Sequence, residues 1–163
     1  METAVFGEDR LKKKVMRLFS TAVASRKERK TRTSGGSLRH HIDKIGNIVK
    51  QGLPSEVGKS MKEMLGLTDK EIAETLGTSE KTLQRKRKKN EPFSLVESDR
   101  LYRMARIFAL ASHVLGEDDL AREWLHEPQY GLEEEIPIEM MKTEAGAKEV
   151  EELLYRIEYG VLA

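Results

Sequence analysis

The stretch that decides the fold is residues 69–88, which read DKEIAETLGTSEKTLQRKRK. Ala73 is small at a point where two helices would cross closely, and Gly77 can adopt a left-handed turn without a steric cost. A second helix would begin after this turn, because Thr78 or Ser79 can cap its first amides. The apolar residues expected between the two helices are Ile72, Leu76 and Leu83. The stretch therefore predicts a helix-turn-helix.

The second helix of this motif carries side chains suited to binding DNA. Gln84 can pair with adenine in a major groove, and Arg85 can pair with guanine. Hydroxyl groups at the start of the helix suit phosphate oxygens, and the consecutive basic residues 85–89 would add salt-dependent affinity. The residues predicted to bind DNA are Thr78, Ser79, Lys81, Thr82, Gln84, Arg85, Arg87 and Lys88.

A purely structural explanation of the same residues stays open. Basic side chains near the C-terminus of a helix complement its dipole without any ligand. Helical pairs joined by a glycine turn also occur in proteins that never contact DNA, and Glu80 lies close to where a phosphate would sit.

The rest of the chain also predicts helices and no strands, so the predicted fold class is all-α. Two capping boxes mark helix starts, one formed by Thr68 and Glu71 and the other by Ser94 and Glu97. Periodic apolar residues predict helices at about 38–51, 55–65, 69–76, 80–89, 95–115, 117–126 and 144–159, with a brief helical turn at 138–141. We expect the longest helix to bury one broad face, and the helix at 117–126 to pack through Leu120, Trp124 and Leu125.

Composition and the positions of helix-breaking glycine and proline residues divide the chain into three parts. Residues 1–36 read as a basic amphipathic helix and a flexible joint, residues 37–92 contain the helix-turn-helix, and residues 93–163 form a second helical unit. The boundary is placed at Pro92 because proline stops a helix. Net charge is +8 over residues 1–50 and −9 over residues 93–163. This asymmetry suggests two different partners, although solvated helix faces would give the same pattern.

Several classes of protein are excluded or disfavoured by composition. The chain has no cysteine, which excludes disulfides and thiolate metal sites and fits a reducing compartment. No apolar run approaches the roughly 20 residues that span a bilayer, and no phosphate-cradling loop or nucleophile elbow is present. We therefore expect a cytoplasmic protein that is not an enzyme, with no cofactor and no membrane partner. The histidines, none at metal-ligand spacing, are His40, His41, His113 and His126.

Short pieces along the chain share an order and spacing with a known family. They are GLP at 52–54, LGLT at 65–68, TLQR at 82–85, ESDRL at 97–101, AREWL at 121–125 with Pro128, IP at 136–137, TEAG at 143–146 and RIEYGV at 156–161. Over about 120 residues this arrangement resembles the Xre/MbcA/ParS family of antitoxins. One departure is the run of glutamates at 133–135, where the family usually has a glycine-containing turn. The loop after Pro128 is therefore expected to have a different shape or a particular charge contact.

The resemblance implies a specific architecture and partner. It implies an Xre-like helix-turn-helix domain followed by a small helical toxin-binding and dimerisation domain. It also implies a RES-type toxin that degrades NAD or uses it for ADP-ribosylation, and an antitoxin that covers the active-site cleft with its C-terminal region. A homodimer that binds operator DNA and represses its own operon is implied as well.

The end of the chain suits that implied role. Gly160 would release a tip that carries an aromatic and two aliphatic side chains, and such a tip can enter a concave pocket. Arg156 can meet carboxylates in a cleft that binds NAD. The residues predicted to contact the toxin are Arg156, Glu158, Tyr159, Gly160, Val161, Leu162 and Ala163. In the alternative, the tail folds back onto the protein's own core.

Two other functions stay open at this point. The chain could be a stand-alone helix-turn-helix transcription regulator with a helical dimerisation domain and no toxin. It could also be a protein–protein adaptor in which the helix-turn-helix no longer binds DNA.

Overall fold

The computed structural model describes residues 46–161. The predictions for residues 1–45, which include His40 and His41, and those for Leu162 and Ala163, lie outside the described residues. Within the described range the fold is all-α, as the sequence predicts, and its one β feature is an isolated bridge. The helices are α1 (Ser55–Leu65), α2 (Asp69–Leu76), α3 (Glu80–Lys89), α4 (Leu95–Leu115), α5 (Asp118–His126), α6 (Pro137–Met140) and α7 (Glu144–Glu158), with a 3-10 helix at Tyr130–Leu132. Residues 46–51 are helical as well.

Side-chain caps explain where two of these helices begin. At α2 the Thr68 hydroxyl accepts a hydrogen bond from the Glu71 amide at 3.2 Å, and the Glu71 carboxylate accepts one from the Thr68 amide at 2.7 Å. Ser94 and Glu97 form the same reciprocal pair at α4. Each box satisfies amides that a helix start leaves unpaired, so both predicted capping boxes are confirmed.

Helix α4 runs through the centre of the fold. Helices α1, α2, α5 and α7 all pack against it. Residues 107–112 are buried without exception, so this part of the helix is enclosed on every side. The sequence predicted one broad buried face, and the additional burial arises because α4 has neighbours from both halves of the chain.

The hydrophobic core is continuous across residue 92, where the sequence predicts a domain boundary. Phe93 is 2% exposed, and its amide donates a hydrogen bond to the Leu53 carbonyl at 2.8 Å. A β-carbon on Gly58 would lie 2.9 Å from Cζ of Phe93, so the backbone of α1 packs directly on this ring. Ser98 Oγ accepts a hydrogen bond from the Leu53 amide at 2.8 Å. The start of α4 is thereby joined to the helix-turn-helix half.

Helix α5 attaches the C-terminal half to the end of α1. Arg122 Nε donates a hydrogen bond to the Met64 carbonyl at 2.9 Å, and His126 Nε2 lies 2.7 Å from the Leu65 carbonyl oxygen. These carbonyls belong to the last turn of α1, which has no partners for them within the helix. Arg122 and His126, from the C-terminal half, therefore cap the end of α1 in the helix-turn-helix half.

The prediction that Leu120 belongs to the buried face of α5 is wrong. Ala121 and Leu125 are fully buried, and Trp124 is partly buried against the core, but Leu120 is 47% exposed. Neighbouring residues on an α-helix point about 100° apart. Leu120 consequently turns away from the face that Ala121 and Leu125 bury.

Candidate functional site

Helices α2 and α3 form the predicted helix-turn-helix. Ile72, Leu76 and Leu83 are at most 2% exposed. Gly77 has φ +70°, and the amide that follows it, from Thr78, donates to the Ala73 carbonyl at 2.9 Å. This six-residue hydrogen bond across a left-handed glycine closes the end of α2 and redirects the chain into α3.

The outward face of α3 matches the predicted reading face. Lys81, Gln84, Arg85 and Lys88 are all exposed and lie at spacings of three and four residues, which places them on one side of the helix. Arg85 also lies 3.6 Å from Glu91, measured from Nη2 to Oε2. Four of the predicted DNA-binding residues are therefore available together on one surface.

The hydroxyls at the start of α3 have a structural role. Ser79, rather than Thr78, is the cap of this helix, and its Oγ accepts a hydrogen bond from the Thr82 amide at 3.2 Å. The Ser79 and Thr82 hydroxyl oxygens lie 3.0 Å apart. Both groups remain at the end of α3 that a major groove would receive.

Two of the five consecutive basic residues turn inward. Arg87 Nη1 donates to Asp69 Oδ1 at 2.8 Å, and Lys86 Nζ donates to Glu97 Oε2 at 2.8 Å. Residues 86 and 87 follow the buried Leu83 by three and four positions, so helical spacing brings them to its side. The structure thus separates Arg87 from the other predicted DNA-binding residues and gives it a partner on α2.

These inward pairs change the ionisation of their carboxylates. The hydrogen bond from Arg87, despite an opposing effect of burial, lowers the pKa of Asp69, and Lys62 contributes in the same direction. Burial raises the pKa of Glu97, but hydrogen bonds from Lys86 and Ser94 and the charge of Lys86 outweigh it, so the net pKa is lowered. Both carboxylates are therefore stabilised in the charged form that these ion pairs require.

The end of α7 forms a tip whose apolar side chains reach solvent. We call residues 158–163 the C-terminal tip, of which the structure describes 158–161. Gly160 has φ +65°, its amide donates to the Ile157 carbonyl, and the Val161 amide donates to the Arg156 carbonyl at 2.9 Å. Tyr159 and Val161 are 59% and 60% exposed. Backbone hydrogen bonds, rather than burial of these side chains, thus set the direction of the tip.

The polar residues predicted to contact a toxin also have partners within the protein. Arg156 Nη2 donates to the Gly131 carbonyl at 3.4 Å, and Glu158 Oε1 lies 3.1 Å from Nε2 of His113. Tyr159 stacks on Tyr155 with 6.4 Å between ring centroids. These contacts hold the last turn of α7 in place while its apolar surface stays open.

A loop that the sequence described only as irregular carries unusual geometry. Glu133 and Glu134 have φ of +55° and +65°, and Tyr130 is 91% exposed. We call residues 129–135 the 129–135 loop. The sequence did contain a signal for it, because the run of glutamates stands where the resembling family usually has a glycine-containing turn.

No group of side chains within residues 46–161 has the composition of a metal site. The two histidines in this range, His113 and His126, contact Glu158 and the Leu65 carbonyl respectively. A search of the same residues for a helix long and apolar enough to cross a membrane found none.

Comparisons with known proteins match two domains along the chain. The antitoxin Xre-like helix-turn-helix domain matches residues 47–106, and the antitoxin Xre/MbcA/ParS C-terminal toxin-binding domain matches residues 110–160. The antitoxin Xre of Pseudomonas putida is 38% identical over 80 residues, which is 49% of this chain and 50% of the relative. The antitoxin Xre of Yersinia enterocolitica is 31% identical over 116 residues, which is 71% of this chain and 78% of the relative. The chain belongs to the Xre antitoxin family.

A third Xre antitoxin, from Photorhabdus laumondii, is 28% identical over 120 residues, or 73% of this chain and 81% of the relative. The chain spans about half the length of the Pseudomonas relative and about four fifths of the other two. Membership in the Xre antitoxin family places the protein among regulators rather than enzymes, as the sequence predicts. It also places α2 and α3 in a DNA-binding type of domain, and α5 to α7 in a toxin-binding type.

Proposed function

We propose that this protein is the antitoxin of a type II toxin–antitoxin system whose toxin is a RES-type enzyme that degrades NAD or transfers ADP-ribose. The C-terminal tip enters the toxin's active-site cleft and excludes its substrate. Helix α3 binds operator DNA and represses transcription of the antitoxin's own operon. The observation that carries this proposal is the exposed apolar tip at the end of a domain of the toxin-binding type.

The geometry of the C-terminal tip supports neutralisation by insertion. Tyr159 and Val161 expose more than half of their surface, although an aromatic or aliphatic side chain at the end of a chain commonly folds against its own core. A buried aromatic at the centre of an interface supplies a large share of its binding energy. Arg156, beside these residues, carries a charge suited to carboxylates in a cleft that binds NAD.

The exposed face of α3 supports operator binding. Its amide and guanidinium groups, from Gln84 and Arg85, suit base edges, and Lys81 and Lys88 suit phosphates. In a homodimer two such helices would read half-sites about 34 Å apart or a multiple of that distance. We also propose a homodimer and a cytoplasmic location, which suit this mode of regulation.

The proposal is tested by deleting residues 158–163 and measuring two activities of the full chain. We expect rescue of cells from the co-expressed toxin of the adjacent reading frame to be lost, while binding to the DNA upstream of the operon persists. A His113→Ala variant serves as the control, because it removes the contact with Glu158 and keeps the tip. Intact rescue by the deletion variant would contradict insertion, whereas failure of the unmodified chain to rescue the cells would favour a stand-alone transcription regulator.

A further inference from the structure

The 129–135 loop is held in a conformation that its own residues disfavour. Glu133 and Glu134 adopt left-handed backbone angles, which cost conformational energy in residues with a β-carbon. The other non-glycine residue with positive φ in the described range is Asn90, a type that tolerates this region. Two consecutive glutamates in this conformation persist only because surrounding contacts impose it.

Those contacts come from both ends of the loop. The Gln129 amide donates to the Glu135 carbonyl at 3.1 Å, and the Glu134 amide donates to the Gln129 carbonyl at 3.1 Å. The Gln129 side chain donates in turn to the Trp124 carbonyl at 2.9 Å, and Leu132 is buried in the core. The loop is therefore rigid as well as strained.

This rigid loop presents an aromatic side chain to solvent. Tyr130 is 91% exposed, more than any other large apolar side chain in the described part of the chain. An aromatic residue held on a fixed backbone loses little conformational freedom on binding, which favours its use in an interface. Burial of Tyr130 by a partner would explain why the loop keeps the strained backbone angles of Glu133 and Glu134.

The loop is continuous with the surface that carries the C-terminal tip. Arg156 Nη2 reaches the Gly131 carbonyl at 3.4 Å, and a β-carbon on Gly131 would lie 2.5 Å from Cδ1 of Leu153. The loop therefore packs closely against the last two turns of α7, within one helical turn of Tyr159. It also lies inside the matched toxin-binding domain.

Charge indicates which partner the loop meets. Glu133, Glu134 and Glu135 are all exposed, so the loop repels phosphates and is unsuited to DNA. A protein surface with lysine or arginine side chains complements it.

We propose that the 129–135 loop is a second contact site for the toxin, separate from insertion of the C-terminal tip. Tyr130 packs into an apolar depression on the rim of the toxin's cleft, and Glu133 and Glu134 face basic residues beside that depression. This inference rests on the proposed function, because the partner is the same toxin. The tip excludes substrate, and the loop fixes the orientation in which the tip enters.

The test measures the dissociation constant of each full-length variant for the purified toxin from the adjacent reading frame. Tyr130→Ala should weaken binding about 30-fold or more, as expected for truncation of an aromatic hot spot. Val96→Ala is the matched control, since Val96 is an apolar residue at the start of α4, within the matched helix-turn-helix domain, and is 59% exposed. It should leave the dissociation constant unchanged.

A second variant distinguishes weaker toxin binding from loss of folding. Glu133→Asn with Glu134→Gly removes two charges and places residues that tolerate left-handed angles, so its melting temperature should rise. Toxin binding should nevertheless weaken about tenfold at low salt and by less at high salt. Glu56→Gln with Glu63→Gln removes two exposed charges from α1 and is the control.

The outcomes separate the two proposals. Toxin binding that is unchanged in both loop variants would overturn the second contact site and leave insertion of the tip intact. A wild-type chain that does not bind this toxin would overturn the proposed function, and the loop site with it. Weaker binding in both loop variants, with a higher melting temperature in the double variant, would support the loop site.

Discussion

Lys86 Nζ lies 2.8 Å from Oε2 of Glu97, and the same carboxylate oxygen accepts a hydrogen bond from the Ser94 amide at 2.7 Å. One carboxylate thereby completes the cap of α4 and holds the end of α3. The side chains of Lys86 and Glu97 are 15% and 11% exposed, so water competes little for this pair. The pair therefore joins the end of α3 to the start of the central helix α4.

Replacing Glu97 with glutamine should destabilise the protein by about 1–3 kcal/mol at neutral pH, because the charged acceptor of both bonds is lost. The pKa of Glu97 is lowered in the folded state. Its stabilisation is therefore present at neutral pH, above the unfolded-state pKa, and is lost as pH falls through the folded-state value. Thermal unfolding from pH 7 to pH 3 measures both effects.

In that experiment the Glu97→Gln variant should lose less stability on acidification than the wild type. Glu149→Gln, at an exposed position in the interior of α7, is the control and should unfold at nearly the same temperature as the wild type at pH 7. Parallel pH profiles for wild type and Glu97→Gln would show that this ion pair does not contribute to acid sensitivity.

Alanine at Gln84 and Arg85 should abolish the preference for operator DNA over unrelated DNA, because each base contact contributes about 1–3 kcal/mol of discrimination. Alanine at Lys88 should weaken binding to both DNAs alike and lower the slope of log affinity against log salt by about 1. Fluorescence anisotropy with both duplexes at several salt concentrations measures this. Retained specificity in the Gln84→Ala, Arg85→Ala variant would show that other residues read the operator, whereas no specific binding by the wild type would favour the adaptor function.

Arg87 should behave differently from its exposed neighbours on α3. Its ion pair with Asp69 joins the two helices of the motif, so Arg87→Ala should lower stability by about 1–3 kcal/mol. At a temperature where the variant is fully folded, its operator specificity should match the wild type. Loss of specificity without loss of stability would assign Arg87 to base recognition.

The sequence predicted the helices of the described range because their caps and apolar spacing are local properties. It also predicted the exposed face of α3, since helical periodicity alone separates Gln84 and Arg85 from the buried Leu83. Helical periodicity also places Lys86 and Arg87 on the side of the buried Leu83. Their partners Glu97 and Asp69 lie on other helices, so the two ion pairs could not be predicted from local sequence. The sequence indicated an altered loop at residues 133–135, but not the left-handed angles of Glu133 and Glu134, because tertiary contacts impose these against residue preference.

Gly146 near the start of α7 should resist replacement by alanine. Alanine is the better helix former by about 1 kcal/mol, so propensity alone predicts stabilisation. A β-carbon at this position would lie 2.4 Å from the Met140 carbonyl oxygen, a backbone atom that cannot rotate away. We therefore expect Gly146→Ala to lower the melting temperature, whereas Ala145→Gly, at the exposed neighbouring position, should cost no more than about 1 kcal/mol. A stabilised Gly146→Ala variant would contradict this packing.

Phe93→Ala should destabilise both halves of the protein together by about 3–5 kcal/mol, because a fully buried ring is removed. Trp124, the one tryptophan of the chain, lies in the C-terminal half and reports on it by fluorescence. Circular dichroism reports on all helices. The two signals should give the same lowered midpoint, and separate midpoints would show that the halves unfold independently.

The shared core around α4 has a consequence for how such a protein is switched off in a cell. A protease that removes either half leaves the other half without part of its core, so a fragment confined to one half would retain neither activity. Under the proposed function, the antitoxin would dissociate from its operator and release the toxin at the same time. Renewed transcription of the antitoxin would then begin at the moment its supply is exhausted.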